Sequence, residues 1–199
     1  MRVLLLLSVS FVGCTTVSAN RPRALVTLPP TTWPKGTQIL WYDIQGDTDT
    51  ELRAQMDAKG PELDGDRHDA YTSWHVTWKF PFVKSDEGCT TGPVTTDVRV
   101  VVTLPRWLGY ADVNDPLVRR WIRYLDALQE HESGHRLTGI NAASDITEQL
   151  PQLPPKPTCP EADETANALA RKILEEHRAR DVEYDAETKH GATQGATFP

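Results

Sequence analysis

The sequence predicts an α+β domain in which a small antiparallel or mixed sheet packs on one long helix and a second, C-terminal helix. Three observations predict it. Residues 70–80 and 94–104 alternate apolar and polar side chains with the period of half-buried strands. Asp115-Pro116 reads as an N-cap followed by proline at the first helical position, and Leu117, Trp121, Leu125, Leu128, His131 and His135 then keep a helical stripe. Five prolines within residues 151–160 (PQLPPKPTCP) separate that helix from a last one. A chain of 199 residues is one domain with short appendages, large enough to bury a core without staples. Its formal net charge of -7 excludes a nucleic-acid surface, which needs Lys and Arg in excess.

Taken in order, residues 1–19 form a signal peptide: Arg2 is a minimal positive start, residues 3–12 are an apolar run too short to span a membrane, and Val17-Ser18-Ala19 suits cleavage after Ala19. The alternative is a lipobox at Phe11-Val12-Gly13-Cys14, which would make Cys14 a lipidated N-terminus and the membrane contact a lipid anchor. Both routes export the chain to the periplasm, the cell envelope or the medium. Processing at Cys14 leaves Cys89 and Cys159, an even count that an oxidising compartment would pair as a disulfide.

Residues 20–35 are a proline-rich lead-in, and residues 36–199 form the single domain. Residues 38–44 (QILWYDI) are a strand, and Thr48-x-x-Glu51 is a capping box for a helix that runs to Lys59 and stops at Gly60-Pro61. In the strand over 70–80, Trp74, Val76, Trp78 and Phe80 face inward and His75 outward. A turn with Gly88, Cys89 and Gly92 leads into the strand over 94–104, and the two strands make an antiparallel pair. The helix from 116 continues to Leu150, with Gly139 a point where it could bend or end, and Pro151 stops it. The last helix runs from Glu161 to about Tyr184 with Ala166, Leu169, Ile173 and Leu174 inward, and residues 184–199 are a polar tail.

The chemistry concentrates in His131-Glu132-Ser133-Gly134-His135. Histidines four apart project from one helical face and can hold one metal ion, with Glu132 beside them as a proton acceptor. Their place on the inward stripe favours a ligand role, because buried imidazoles without partners are costly. Zn2+ is the expected ion: it takes neutral nitrogen donors and, for catalysis, keeps a position open for water. The expected fold is therefore zincin-like. In that class an edge strand and the loop beside it line the substrate cleft, so Trp107 and Tyr110 are either its wall or packing for the following helix.

Two histidines do not complete a catalytic zinc site. The longer HExxHxxGxxH pattern fails here, since Gly139 stands one place late and Asn141 replaces the last histidine. Glu148, Glu175, Glu176, Asp185, His177 and His190 all remain as third ligands. The strand with Trp41, Gly60-Pro61, the Trp74–Trp78 strand with Cys89 after it, Leu104-Pro105, HESGH and the terminal Tyr184-Asp185-x-x-Thr188-x-His190-Gly191 together resemble an uncharacterised family of predicted secreted bacterial zinc-dependent proteases. That resemblance implies a tail folded back across the active-site helix, with His190 as third ligand and Tyr184 as a donor to the oxyanion.

The expected function is an exported zinc metalloprotease acting on a peptide or protein substrate, with His131, His135 and His190 on the metal and Glu132 as general base. Two other classes compete: a non-catalytic envelope protein with a structural zinc or a Trp-lined binding surface, and a zinc hydrolase of a non-peptide amide or ester.

Overall fold

The computed structural model describes residues 33–34, 36–63, 65–109 and 115–199. The expected export signal over 1–19 with Cys14, most of the expected lead-in over 20–35, and Tyr110 lie outside the described residues. The strand over Thr37–Ile44 (β1) is followed by a helix over Asp49–Lys59 (α1), whose capping box is complete: Glu51 N–H donates to Thr48 Oγ1, and the Glu51 carboxylate accepts from Thr48 N–H. A short hairpin of Glu62–Leu63 (β2) and Asp66–Arg67 (β3) leads into Tyr71–Lys79 (β4).

β4 pairs antiparallel with Thr95–Trp107 (β7), from Tyr71 opposite Thr103 to Lys79 opposite Thr95. β1 lies parallel on the other side of β7, so the sheet is mixed, in the order β1-β7-β4, with β4 at an edge. The alternation read from the sequence survives in the burial: Thr72 and Val76 are buried and His75 is exposed. The connection between β4 and β7 is more than a turn. It forms its own hairpin, Phe82–Ser85 (β5) with Gly88–Thr91 (β6). The Cys89–Cys159 disulfide and reciprocal backbone bonds between Cys89 and Lys156 tie that hairpin to the later chain.

The long helix, Pro116–Gln149 (α2), opens as predicted, with the Asp115 carboxylate accepting from Leu117 N–H at 2.7 Å. The helix runs on past Gly139. A Cβ there would lie 2.6 Å from Trp74 Cγ, so the glycine lets the β4 indole press against the helix. After a 3-10 turn containing Pro151, the last helix (α3) spans Cys159–Thr188, longer at both ends than expected. Its start is capped by Thr158, and Pro160 tolerates the first turn because that position needs no N–H partner.

Two apolar clusters hold these layers together. The first joins β1, α1 and β7 to α2 through Trp121, Tyr124, Leu125 and Leu128, and it takes in Phe198 from the tail. The second joins β4 and α3 to the far end of α2 through Ala142, Ala143 and Ile146. Residues 131–135 of α2 lie between them. Trp107 belongs to the first cluster, 3 % exposed and edge-on to Trp121, so it packs on the helix and does not wall a cleft. Among the described residues, no helix is long and apolar enough to cross a membrane.

The disulfide closes a loop of 70 residues across the second cluster. Replacing Cys89 and Cys159 together by Ser should cost up to about 4 kcal/mol and lower the Tm by roughly 10 °C in a calorimetric scan. An unchanged Tm would mean that packing alone already constrains the loop.

Candidate metal centre

α2 presents His131 and His135 on its buried face, and α3 presents Asp181 and Asp185 at the same spacing opposite them. The result is a compact triangle. His131 Nε2 and His135 Nε2 are 3.3 Å apart, and Asp185 Oδ1 lies 3.1 Å from the first and 3.0 Å from the second. An ion with ligand bonds of about 2.0–2.1 Å in a tetrahedral shell separates its ligands by about 3.3 Å. The three atoms therefore outline one face of such a shell, and this donor set can hold a metal ion.

The other ring nitrogens are also committed. His135 Nδ1 faces Asp181 Oδ1 at 3.1 Å, and His131 Nδ1 faces Gln194 Oε1 at 3.0 Å. Both oxygens accept, so each imidazole donates from Nδ1, and a bound ion would take the Nε2 lone pair on the side that faces Asp185, as a metal ligand requires. Asp181 is itself held by Trp74 Nε1–H, which donates to Oδ2 at 2.6 Å.

In the metal-free protein the cluster shares protons unevenly. Burial works to lower the His135 pKa, but hydrogen bonds to Asp181 and Asp185 overcome it and push it up to about 10. Burial raises Asp185, yet its bonds to His131 and His135 hold the carboxyl well below the usual range. Glu132 is 3 % exposed, and burial raises its pKa against the lowering effect of Thr72, whose Oγ1–H donates to Oε2 at 2.6 Å.

The tail supports the site from behind. Lys189 and His190 both adopt left-handed backbone, and with Gly191 they reverse the chain after α3. Gly191 has φ +81°, and a Cβ there would lie 2.9 Å from His131 Cγ, so conformation and space both call for glycine. The reversal delivers Gln194 to His131 and Phe198 to the aromatic cluster of Trp121 and Tyr124. Phe198 is tied down further by its carbonyl, which accepts from Arg53, and Arg53 in turn pairs with Asp69.

Of the candidate third ligands, Asp185, and not the His190 that the family resemblance implied, lies together with the two histidines. Asp185, one of the alternatives, completes the triangle. His190 stays outside it: its side chain is 64 % exposed, with Nδ1 3.6 Å from Asp185 Oδ1. The helix reversal explains this, because Asp185 still lies on the inward face of α3 whereas His190 is already past the turn. His177 is buried against Asp145 at 2.7 Å.

Tyr184 also departs from its expected place. Its ring stacks on His131 at 5.1 Å and 11°, and its hydroxyl accepts from Gln194 Nε2 and lies 3.4 Å from the His131 carbonyl oxygen. It braces His131 and does not line the cleft. Gly134 makes this stacking possible, since a Cβ would come within 2.5 Å of the phenol ring.

The triangle opens on a cleft of about 710 Å³. Its walls are the β2–β3 hairpin, residues 69–74 along the outer edge of β4, the α3 face with Arg178 and Val182, and the rings of His68 and His190. Those two rings meet at 5.5 Å. Sequence reasoning missed Thr72, Asp181 and Gln194. Only Asp181 left a signal, its position four residues before Asp185, matching the His131/His135 spacing.

With this geometry established, a family match covers residues 39–191, and the chain belongs to that family, described as Bacterial protein of unknown function (DUF922). Among curated proteins and solved structures, nothing matches the chain significantly.

If Asp181 fixes the His135 tautomer, Asp181→Ala should weaken zinc binding by roughly 10- to 100-fold, measured by competition with a chromogenic chelator. Asp185→Ala should abolish it. His190→Ala should change it by less than about threefold, and a loss as large as that of Asp185→Ala would put His190 back among the ligands.

Proposed function

We propose that this member of the family is an exported zinc-dependent peptidase with Glu132 as its general base. The observation that carries the proposal is the triangle of His131, His135 and Asp185 beside a buried carboxylate, open on one side to a cleft. His131, His135 and Asp185 would hold a zinc ion, which when bound would supply a Lewis acid and activate a water for attack. A structural zinc would call for a fourth protein ligand, and among the described residues no further His, Cys, Asp or Glu joins the cluster.

Glu132 is suited to moving a proton. Thr72 fixes one of its oxygens at 2.6 Å, leaving the other for the attacking water. Burial raises the pKa of the carboxyl, so the protonated form that follows abstraction costs less than it would at the surface, and the proton can pass on to the leaving amine. Tyr184 is turned away, and His190, which lines the cleft with Nδ1 3.6 Å from Asp185 Oδ1, is the candidate donor to the developing oxyanion.

The shape of the cleft supports a chain-like substrate. β4 is an edge strand whose residues 71–74 border the cleft, so an extended peptide can continue the sheet there, hydrogen-bonding through its backbone past Glu132. The Cys89–Cys159 disulfide supports an oxidising compartment, in keeping with export.

The test is metal content together with cleavage of a broad peptide library, with and without chelator. The parent should bind about one zinc and cleave, and chelation should stop cleavage until zinc is restored. Glu132→Gln should keep the metal and lose at least roughly 100-fold in kcat, whereas His131→Ala should lose both. Cleavage by the Gln variant at the parent's rate would sink the assignment of the base. Hydrolysis of esters or small amides in place of peptides would move the substrate class.

A further inference from the structure

Among the charged groups of the cleft that the chemistry above does not use, Arg178 stands out. Arg178 lies on α3 seven residues before Asp185, is exposed, and lines the same cleft. Its guanidinium sits 5.8 Å from the centre of the Trp74 ring. That ring is a fixed shelf: its Nε1–H is bonded to Asp181, and its back presses on Gly139. A guanidinium on an anchored indole is held in place without having its donors consumed.

The charges around it are already matched. Asp181, one turn further along α3, gives Oδ1 to His135 and Oδ2 to Trp74. Asp185 faces both histidines, Glu132 is bonded by Thr72, and Asp69 is taken by Arg53 and Tyr124. Asp66, on the opposite hairpin, is the exception. The other guanidinium in the wall, Arg67, pairs with Glu62 and donates to the Gly60 carbonyl. Among the described residues, no carboxylate lies within ion-pair distance of Arg178.

We infer that the Arg178–Trp74 shelf is a substrate subsite that binds a carboxylate on the chain entering the cleft. The inference rests on the peptidase reading for the nature of that chain. The fork of donors fits a carboxylate in two parallel hydrogen bonds, and the indole face excludes water from one side of it. The fold also sets its distance from the chemistry. Trp74 lies two residues along β4 from Thr72, which holds Glu132, a separation of about 7 Å at strand rise. Arg178 lies two helical turns from Asp185, about 10 Å along α3. An extended peptide advances about 3.3 Å per residue, so the carboxylate belongs two or three residues from the scissile bond. It can come from a Glu or Asp side chain or from a free C-terminus.

The test reads binding apart from turnover. Zinc-loaded Glu132→Gln protein is titrated with fluorescent peptides carrying Glu, or its isostere Gln, two and three residues to either side of a central bond. A second pair ends in a free acid or an amide at the same distance. The carboxylate peptide of at least one pair should bind roughly tenfold more tightly than its neutral partner. Adding Arg178→Gln should bring that ratio to about one, with zinc content and Tm unchanged, and Arg178→Lys should keep part of it. A preference in the side-chain pairs identifies an acidic residue as the source, and one in the terminal pair identifies the chain end.

Equal or absent binding across every pair, or a preference that survives Arg178→Gln, overturns the inference. Cleavage of the same peptides by the parent is scored separately. A carboxylate preference without cleavage would leave the subsite standing and remove the peptidase reading, and cleavage without a preference would do the reverse.

Discussion

Four ring nitrogens on one buried face of α2 must all find partners, and most of what is distinctive in this molecule meets that requirement. An imidazole removed from water without hydrogen bonds is expensive. His131 and His135 are only 3 % and 8 % exposed as residues, so the surrounding chain has to supply acceptors from several directions. α3 supplies Asp181 and Asp185, and the tail supplies Gln194. Because the Nδ1 partners are acceptors, both Nε2 atoms are left to converge on one point with a carboxylate oxygen.

That convergence explains features that look unrelated in isolation. The two non-glycine residues in left-handed backbone at 189 and 190 cost roughly 1–2 kcal/mol each, and they turn the chain so that Gln194 reaches His131. Gly134 and Gly139 are poor helix formers inside a long helix. Each leaves room for a ring that steadies the site, Tyr184 over His131 in one case and Trp74 against the helix in the other. Trp74 then serves both sides of the centre, fixing Asp181 through its N–H and carrying Arg178 on its face.

The location of the centre between the two apolar clusters has a mechanical consequence. Each cluster immobilises one half of α2, from Leu117 to Leu128 and from Ala142 to Leu150, so the five residues of the motif are held from both ends. α3 is fixed independently by its packing against the second cluster and by the disulfide at its first residue. The candidate ligands of the two helices therefore meet on rigid elements, as a preorganised site requires. The cleft side is built from lighter parts: an edge strand, a hairpin of two-residue strands and exposed side chains such as Val182, at 71 % exposure.

What the sequence determined by itself is local. The Thr48 and Asp115 caps, the alternation in β4 and β7, the apolar stripe running into His131 and His135, and the pairing of the two cysteines left after Cys14 all follow from spacing and residue type. Each depends on interactions within a few residues or, for the cysteines, on a count. What only the tertiary structure decided is which distant side chains meet. Asp185 and not His190 reaches the histidines because α3 persists to Thr188 and reverses only afterwards, and Tyr184 stacks behind His131 because Gly134 leaves it space. Trp107 enters the core because β7 extends three residues past Leu104. A periodic pattern fixes which face of an element is buried, but the partner across the interface depends on where two helices come to rest against each other, bringing together side chains about fifty residues apart, and no local signal carries that information.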